Sequence, residues 1–191
     1  FINKKIINRK KLSESFGIIC EKITVDDNAN YVLKKYNEKK TNFNAIISEG
    51  KSLKYMYSRF PNIFPRTYFL SNNLIIMDYI EHDDVKDSNY EKKLASLITK
   101  IHMVKNDKYG FYFDTTIGGL RQPSEFLNNW VDFFKEKRLG MIFELINNHH
   151  PMPSEINIKL EKIINELDNY LPKNPKPSLI HGDLWEGNIL F

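Results

Sequence analysis

Hydrophobic residues follow different patterns in the two parts of this chain, and that division constrains the fold more than any other feature. Residues 6–35 have the composition of strands and turns, and a hairpin is expected over residues 18–35. Two short apolar runs, 68–70 and 74–77, flank the polar tripeptide 71–73 and predict a second hairpin. The N-terminal part is therefore expected to form an antiparallel sheet.

Helical periodicity dominates elsewhere, because apolar residues recur at steps of three and four in four stretches. These stripes are Phe43, Ile46, Ile47, Leu53, Met56, Tyr57 and Phe60; Leu94, Leu97, Ile98 and Ile101; Phe126, Trp130, Phe133 and Phe134; and Leu160, Ile163, Ile164, Leu167 and Leu171. Pro61 is expected to end the first helix and Pro123 to open the third. Strands followed by helices indicate an α+β fold with two lobes rather than a parallel sheet. The predicted division is an N-lobe at 1–77, a hinge or connector at 78–84 and a helical C-lobe at 85–191.

Composition excludes several classes of protein. The net charge is +4, but the basic residues are scattered, and the small group at residues 4–11 is too limited for a nucleic-acid surface. No run of about 18 apolar residues is present, so no membrane span is expected. The segment 1–5 is too short and interrupted for a signal peptide, and a start at Phe1 suggests that leading residues are missing. The single cysteine, Cys20, fits a reducing compartment, and we expect a cytoplasmic protein.

The segment His181–Asn188 has a spacing that suits one kind of chemistry. It follows the short apolar strand predicted at 178–180, and Asp183 and Asn188 are separated as the base and a metal ligand are in protein-kinase catalytic loops. A carboxylate can accept the proton of a hydroxyl group, and a neutral amide oxygen can hold Mg²⁺ without adding repulsion. Gly-Asp and Gly-Asn pairs are also common in surface turns, but an eight-residue match after an apolar strand favours phosphoryl transfer.

This segment resembles the fructosamine (ketosamine) kinase family, within the aminoglycoside-phosphotransferase-like superfamily. The superfamily motif is His-Gly-Asp-x-x-x-x-Asn, and Trp185 and Gly187 point to the narrower family. Three further stretches support the resemblance, which extends from about residue 12 to 191: Met77-Asp78-Tyr79-Ile80, the region from Gly110-Phe111 to Asp114, and Trp130–Leu139. It implies a two-lobed protein kinase-like fold. It also implies use of ATP and Mg²⁺ to phosphorylate a sugar hydroxyl of free or protein-linked ketosamines, a step in protein deglycation.

The resemblance also implies a nucleotide site in the N-lobe. Lys34 matches the lysine that grips the nucleotide phosphates, and Glu49 matches its helix partner. Lys35 is an alternative, although strand alternation sends it to the opposite face. Glu38 is a weaker rival to Glu49 because it precedes the helix.

The phosphate-covering loop and the hinge complete the implied nucleotide site. The loop, residues 13–18, has one glycine, Gly17, where the family has two or more, yet Gly17 can still permit close approach of the backbone. Phe16 could cap the loop, but inward packing is the expectation. Cys20 beyond the loop could have an oxidation-sensitive role, but a buried and inert residue is expected. The hinge residues, whose backbone would meet the adenine edge without a side-chain role for the aspartate, are Met77, Asp78, Tyr79 and Ile80.

Several histidines and one tryptophan are further candidates for functional residues. His102 lies on a helical stripe and is expected to be a packed structural residue. The pair His149-His150 lacks a third nearby metal ligand. Within the motif, His181 is expected to orient the catalytic loop through hydrogen bonds, and Trp185 to stack on a sugar or pack under the loop.

Two other functions stay open. One is a phosphotransferase for an aminoglycoside or another amino alcohol such as choline. The other is a truncated pseudokinase or nucleotide-binding module, which the single loop glycine and the early stop favour and the intact Asp183 and Asn188 oppose. The resemblance implies a second metal-binding Asp soon after the loop, but the sequence stops at Phe191. We therefore expect a fragment or truncated product, and little phosphate transfer by a protein that ends there.

Overall fold

The structure is a computed structural model that describes residues 3–38, 42–83 and 85–190. The strands are β1 (Ile6–Ser15), β2 (Ile18–Val25), β3 (Asn30–Tyr36), β4 (Thr67–Leu70), β5 (Leu74–Asp78), β6 (Thr115–Ile117) and β7 (Leu120–Gln122). The α-helices are α1 (Ala45–Arg59), α2 (Tyr90–His102), α3 (Trp130–Phe134), α4 (Met141–His149) and α5 (Ser154–Asn165). A π-helical segment, Lys135–Gly140, joins α3 to α4, and 3₁₀ turns cover Leu167–Asn169 and Glu186–Asn188. The predicted α+β class is confirmed.

The contacts between backbone segments divide the chain into two compact units. The first comprises Phe1–Leu94, Thr115–Arg121 and Asp183–Phe191, and the second comprises Ala95–Asp114 and Gln122–Gly182. The lobe boundaries at 1–77, 78–84 and 85–191 stay a prediction, and Asp84 of the connector lies outside the described residues.

An antiparallel sheet with the strand order β1-β2-β3-β5-β4 forms the centre of the first unit. Both hairpins expected from the sequence are present, since β2 pairs with β3 and β4 pairs with β5. Because side chains alternate across a strand, Leu33 and its neighbours Ile23 and Ile76 form a buried cluster on one face. The adjacent residues Lys34 and Ile75, which are also paired in the register, lie on the other face.

Helix α1 packs against the sheet and is defined at its start by a capping residue. The side chain of Asn44 accepts a hydrogen bond from the Ile47 backbone at 3.0 Å, which satisfies one of the free N–H groups of the first turn. The helix ends at Arg59, just before Pro61, as predicted. Gly50 permits a close approach to β4, because a Cβ there would lie 2.3 Å from Cδ1 of Leu70.

Aromatic side chains organise the second unit. The ring of Trp130 lies 5.5 Å from that of Tyr109 and 5.4 Å from that of Phe134, measured between centroids. Val131 and Phe133, on the same short helix, are buried. Ring stacking and apolar burial together hold α3 in place.

Three details differ from the sequence-based expectations. The third helix begins at Trp130 rather than near Pro123, because the Asn129 side chain accepts hydrogen bonds from two backbone N–H groups and fixes the start there. The region expected to be mainly helical contains the β6–β7 hairpin. The strand expected at 178–180 forms only an isolated antiparallel bridge between Ser178 and Lys105.

One glycine of the second unit generates a prediction about stability. Gly110 has a φ of +135°, and a Cβ there would lie 2.8 Å from the carbonyl oxygens of Ser124 and Glu125. We expect Gly110→Ala to lower the free energy of unfolding by roughly 3 kcal/mol, because strain in the backbone adds to a steric clash. Urea unfolding monitored by circular dichroism measures this loss.

A matched control separates the two causes. Gly182 also has a positive φ, +88°, but a Cβ there would meet nothing within 4 Å. Gly182→Ala should therefore cost only about 1 kcal/mol, the strain of the backbone alone. Equal losses in the two variants would show that the Ser124–Glu125 backbone does not confine Gly110.

Candidate functional site

Lys34 and Glu49 form an ion pair in the first unit. Their Nζ and Oε1 atoms are 2.5 Å apart, and both side chains are about three-quarters shielded from solvent. The pair forms because β3 directs Lys34 to the face of the sheet that α1 covers. Lys35 points to the opposite face, where its Nζ lies 3.8 Å from Glu21. Glu38 is exposed, so the structure brings together the two residues that the sequence favoured.

The environment of Lys34 keeps its ammonium group charged. Burial by itself lowers the pKa of Lys34, but the charge of Glu49 and its hydrogen bond outweigh this effect, and the net pKa is raised. The amine is therefore a fixed cation at neutral pH. Cys20 lies directly opposite Lys34 on β2, and its half-buried thiol has a raised pKa because burial disfavours the thiolate. Cys20 is less buried than expected, but a protonated thiol fits the inert role.

The turn between β1 and β2 contains Phe16 and Gly17, which have φ values of +51° and +75°. The carbonyl oxygen of Gly17 accepts hydrogen bonds from the backbone of Asn37 at 2.8 Å and of Glu38 at 3.1 Å. These bonds fix one side of the turn. The expectation that Phe16 packs inward is wrong, since its side chain is 60% exposed. The residue stands at the tip of the turn, beyond the two strands that form the sheet.

The predicted hinge begins within β5, whose last two residues are Met77 and Asp78. Met77 is buried and pairs with Val32 in the register, while Ile80 is 40% exposed. Asp78 accepts hydrogen bonds at 2.8 Å from both the backbone N–H of Arg66 and the hydroxyl group of Tyr68. The carboxylate of Asp78 therefore braces the sheet, and the role of the hinge residues with the nucleotide stays a prediction. The hydrogen bond to Asp78 also raises the pKa of Tyr68.

The ring of Tyr79, the next hinge residue, faces a cation. Nζ of Lys22 lies 3.9 Å from the ring centroid and also 3.3 Å from Oε1 of Glu81. These contacts join the hinge to β2. The sequence does not mark Lys22, because it lies two strands away in the sheet and nothing in the local spacing predicts a contact of this range.

The part of the motif from Asp183 to Asn188 forms a compact loop in the first unit. Nδ2 of Asn188 donates to the carbonyl oxygen of Asp183 at 2.8 Å and to its carboxylate at 3.1 Å. The 3₁₀ turn Glu186–Asn188 produces this approach, with the backbone N–H of Asn188 donating to the carbonyl of Trp185 at 3.0 Å. Both Asp183 and Asn188 are exposed. The loop thus presents a carboxylate and an amide side by side.

Trp185 and Gly187 contact each other. A Cβ on Gly187 would lie 2.4 Å from Cη2 of the Trp185 ring, so a side chain at position 187 would require the indole to shift. The indole remains 60% exposed. Packing over Gly187 and stacking on a substrate are therefore compatible uses of the same ring.

An ion pair that the sequence did not reveal holds the loop from outside. Lys86, just after the connector, pairs with Glu186 of the 3₁₀ turn. The two residues are 100 positions apart, so no spacing rule could have found them. The hydrogen bond from Lys86 lowers the pKa of the Glu186 carboxyl group.

The histidines have less distinctive positions. His102 is exposed on α2, so the expectation of a packed residue is wrong: it lies at the end of the helix, past the last buried position, Ile101. Nδ1 of His149 lies 2.9 Å from the carbonyl oxygen of Leu145, within its own helix. His181 is half-buried at the end of the second unit, and its orienting role stays a prediction.

Within the described ranges, no group of three or more His, Cys, Asp or Glu side chains is arranged to hold a metal ion by itself. A cation at the loop would rely on the amide oxygen of Asn188 together with oxygens from a ligand, as Mg²⁺ does in nucleotide sites. In the same described ranges, no helix has both the length and the apolar character that crossing a membrane requires.

Comparison with known proteins extends the sequence resemblance over nearly the whole chain. The family model described as fructosamine kinase matches residues 3–191. A chloroplastic protein-ribulosamine 3-kinase from Oryza sativa is 32% identical over 149 residues, which cover 74% of this chain and 43% of the rice protein. A protein from Vibrio vulnificus assigned as a ketoamine kinase is 32% identical over 120 residues, which cover 62% of this chain and 41% of that protein.

Solved structures show the same fold. A Thermobifida fusca protein assigned as a fructosamine-3-kinase superimposes with a TM-score of 0.83 at 17% identity, over 98% of this chain and 65% of that chain. The gentamicin complex of the phosphotransferase APH(2″)-IIa matches with a TM-score of 0.61 at 18% identity, over 98% of this chain and 62% of that chain. This chain spans less than two thirds of the length of these relatives. The match of the family model over residues 3–191 shows that the chain belongs to the fructosamine kinase family.

Proposed function

We propose that this protein is an ATP- and Mg²⁺-dependent kinase that phosphorylates a sugar hydroxyl of ketosamines, free or linked to protein. The observation that supports this most directly is the contact between Asn188 and Asp183, which holds an amide and a carboxylate together on one exposed loop. The rice relative is a protein-ribulosamine 3-kinase by name, which supports the same class of acceptor. A role in protein deglycation and a cytoplasmic location, suggested by the single cysteine, belong to the proposal.

Different residues of this chain would have different roles in the reaction. Lys34, kept charged by Glu49, would bind the phosphates of ATP, and the backbone of the hinge would bind the adenine edge. Asp183 would accept the proton of the sugar hydroxyl as its oxygen forms a bond to the γ-phosphorus and the bond to ADP breaks. Asn188 orients the Asp183 carboxylate by hydrogen bonding and would offer its amide oxygen to Mg²⁺. The metal ion, when bound, neutralises the charge on the phosphate oxygens.

The other two functions have weaker support. The resemblance to APH(2″)-IIa is one of fold, and it does not assign an aminoglycoside acceptor to this chain. A pseudokinase does not need its catalytic contacts. This chain keeps both the pairing of Lys34 with Glu49 and the contact between Asp183 and Asn188, which argues against a pseudokinase.

The acceptor can be tested with the full-length protein. We expect ADP release from ATP and Mg²⁺ in the presence of fructosyl-lysine or ribulosyl-lysine, and background release with kanamycin or choline. ADP release with kanamycin or choline alone would replace the proposal with the phosphotransferase function. Stabilisation by ATP without Mg²⁺ and without turnover of any acceptor would favour a nucleotide-binding module.

The role of Asp183 predicts a selective loss of turnover. Asp183→Asn keeps the size of the side chain and an oxygen for the Asn188 amide but removes the base. We expect kcat to fall about a thousandfold, within the range for loss of a general base, with little change in the affinity for ATP. Asp132→Asn, an exposed acid on α3, is the matched control and should keep its activity. Similar kcat values for both variants would remove Asp183 from the mechanism.

The Lys34–Glu49 pair predicts a linked effect on pKa and stability. Because the folded-state pKa of Lys34 is raised, the stability that the pair contributes is fully present at neutral pH and is lost as pH rises through that pKa. Glu49→Gln should lower the pKa of Lys34, measured by NMR of its Cε, and should reduce stability at neutral pH by about 1 kcal/mol.

The same pair also predicts an effect on nucleotide binding. Lys34→Met and Glu49→Gln should both weaken ATP binding, whereas Lys35→Met on the opposite face should not. Equal weakening by Lys35→Met would mean that general charge, and not the fixed position of Lys34, attracts the nucleotide. Calorimetric titration of the three variants decides between these outcomes.

A further inference from the structure

Two hairpin turns of the first unit meet tip to tip. One joins β1 to β2 through Phe16-Gly17, and the other joins β6 to β7 through Gly118-Gly119. All four residues have positive φ values, +51°, +75°, +52° and +79° in chain order. Two-residue turns with both central residues in this conformation are type I′ turns, which follow the natural twist of a hairpin and are usually formed by Asn, Asp or Gly.

Phe16 is an unusual residue for its position. A bulky side chain at positive φ costs about 1–2 kcal/mol relative to the ordinary backbone conformation. Burial in the core does not offset this cost, since the side chain is 60% exposed. A local contact must account for a phenylalanine at this tip.

The contact is with the tip of the second hairpin. A Cβ on Gly118 would lie 3.1 Å from Cζ of Phe16, and a Cβ on Gly119 would lie 3.0 Å from its Cβ. The Phe16 side chain therefore lies directly on the Gly-Gly backbone. Glycine suits both positions for two reasons: it readily adopts positive φ values, and its lack of a side chain leaves room for the ring.

The second hairpin is itself held by the helix that positions the phosphate-binding lysine. Strand β6 packs against α1, and α1 contributes Glu49 to the ion pair with Lys34. On its other side the β1–β2 turn is fixed by the hydrogen bonds from Asn37 and Glu38 to Gly17. The β1–β2 turn is therefore held at two places. Hydrogen bonds tie it to the residues just after β3, and Phe16 connects it to α1 through the β6–β7 hairpin.

We propose that Phe16 is a positioning residue, which docks the β1–β2 turn on the Gly118-Gly119 tip and holds Gly17 in place over the nucleotide phosphates. This inference rests on the proposed function, because the turn covers phosphates only if the protein binds ATP. The docked ring supplies order before ATP arrives, so that binding does not have to spend free energy on ordering the turn.

Two variants test the contact from its two sides. Phe16→Asn suits the type I′ turn but removes the ring. Gly118→Asn creates the favoured Asn-Gly turn at the second tip, and its Cβ, 3.1 Å from Cζ of Phe16, crowds the ring and weakens the contact without altering the first turn. Phe16→Tyr keeps an aromatic ring and should behave like the wild-type protein. Asn28→Gly is the matched control, since Asn28 has a φ of +65° in the β2–β3 turn at the other end of β2.

The first readout does not depend on activity. Hydrogen exchange of the nucleotide-free protein should become about fivefold faster in residues 13–18 and also in 115–121 for both variants, as expected for the loss of one aromatic contact. The second readout is binding: the Kd for ATP with Mg²⁺ should rise about fivefold, while kcat at saturating ATP and ketosamine stays unchanged. Phe16→Tyr and Asn28→Gly should match the wild type in both.

Three results would overturn the inference. Faster exchange in 13–18 with unchanged exchange in 115–121 would show that the tips do not hold each other. Faster exchange in both with an unchanged Kd would make the contact purely structural. A wild-type protein that binds no ATP would remove the proposed function itself, and the exchange data would still separate that failure from the absence of the contact. If Phe16→Asn does not fold, Gly118→Asn decides the same question.

Discussion

The ion pair between Lys34 and Glu49 joins the sheet of the first unit to helix α1, and it forms only if both elements are correctly placed. It requires β3 to be in register with both β2 and β5, so that Lys34 faces the helix and Leu33 faces the opposite cluster. It also requires α1 to start at Asn44 and to approach the sheet closely, which Gly50 allows. A shift of one residue in β3 would turn Lys34 to the opposite face of the sheet, away from Glu49, and would bring Leu33 or Lys35 to the face that α1 covers.

Close contacts with glycine backbone shape the exposed loops in the same unit. Trp185 covers Gly187 in the loop that contains Asp183, and Phe16 covers Gly118 and Gly119 at the hairpin tip. In each case an exposed aromatic ring lies where a Cβ would otherwise stand. These loops therefore obtain their order from contacts at the surface rather than from the core, which leaves their polar groups accessible to a ligand.

The sequence predicted most of the first unit because its signals are local. Strand alternation, turn residues and the proline after α1 predict the two hairpins and the helix. The resemblance to the family points to Lys34, and strand alternation adds only that Lys35 lies on the opposite face. The β6–β7 hairpin was missed although Gly118-Gly119 follows a β-branched run, a signal that the surrounding helical stripes outweighed. The sequence predicts a start of the third helix near Pro123, whereas the helix begins at Trp130. Proline is common near helix starts in general, but the side chain of Asn129 caps the backbone at one defined position.

By itself the sequence determined the α+β class, the family and the spacing of Asp183 and Asn188, because these follow from residues that are near one another along the chain. Tertiary structure alone decided the pairing of Lys86 with Glu186, the bracing of the sheet by Asp78 and the docking of Phe16 on the second hairpin. These contacts join residues that are far apart in the chain or on different elements. Their partners are set by how the folded elements pack, and periodicity and spacing along the chain hold no information about that.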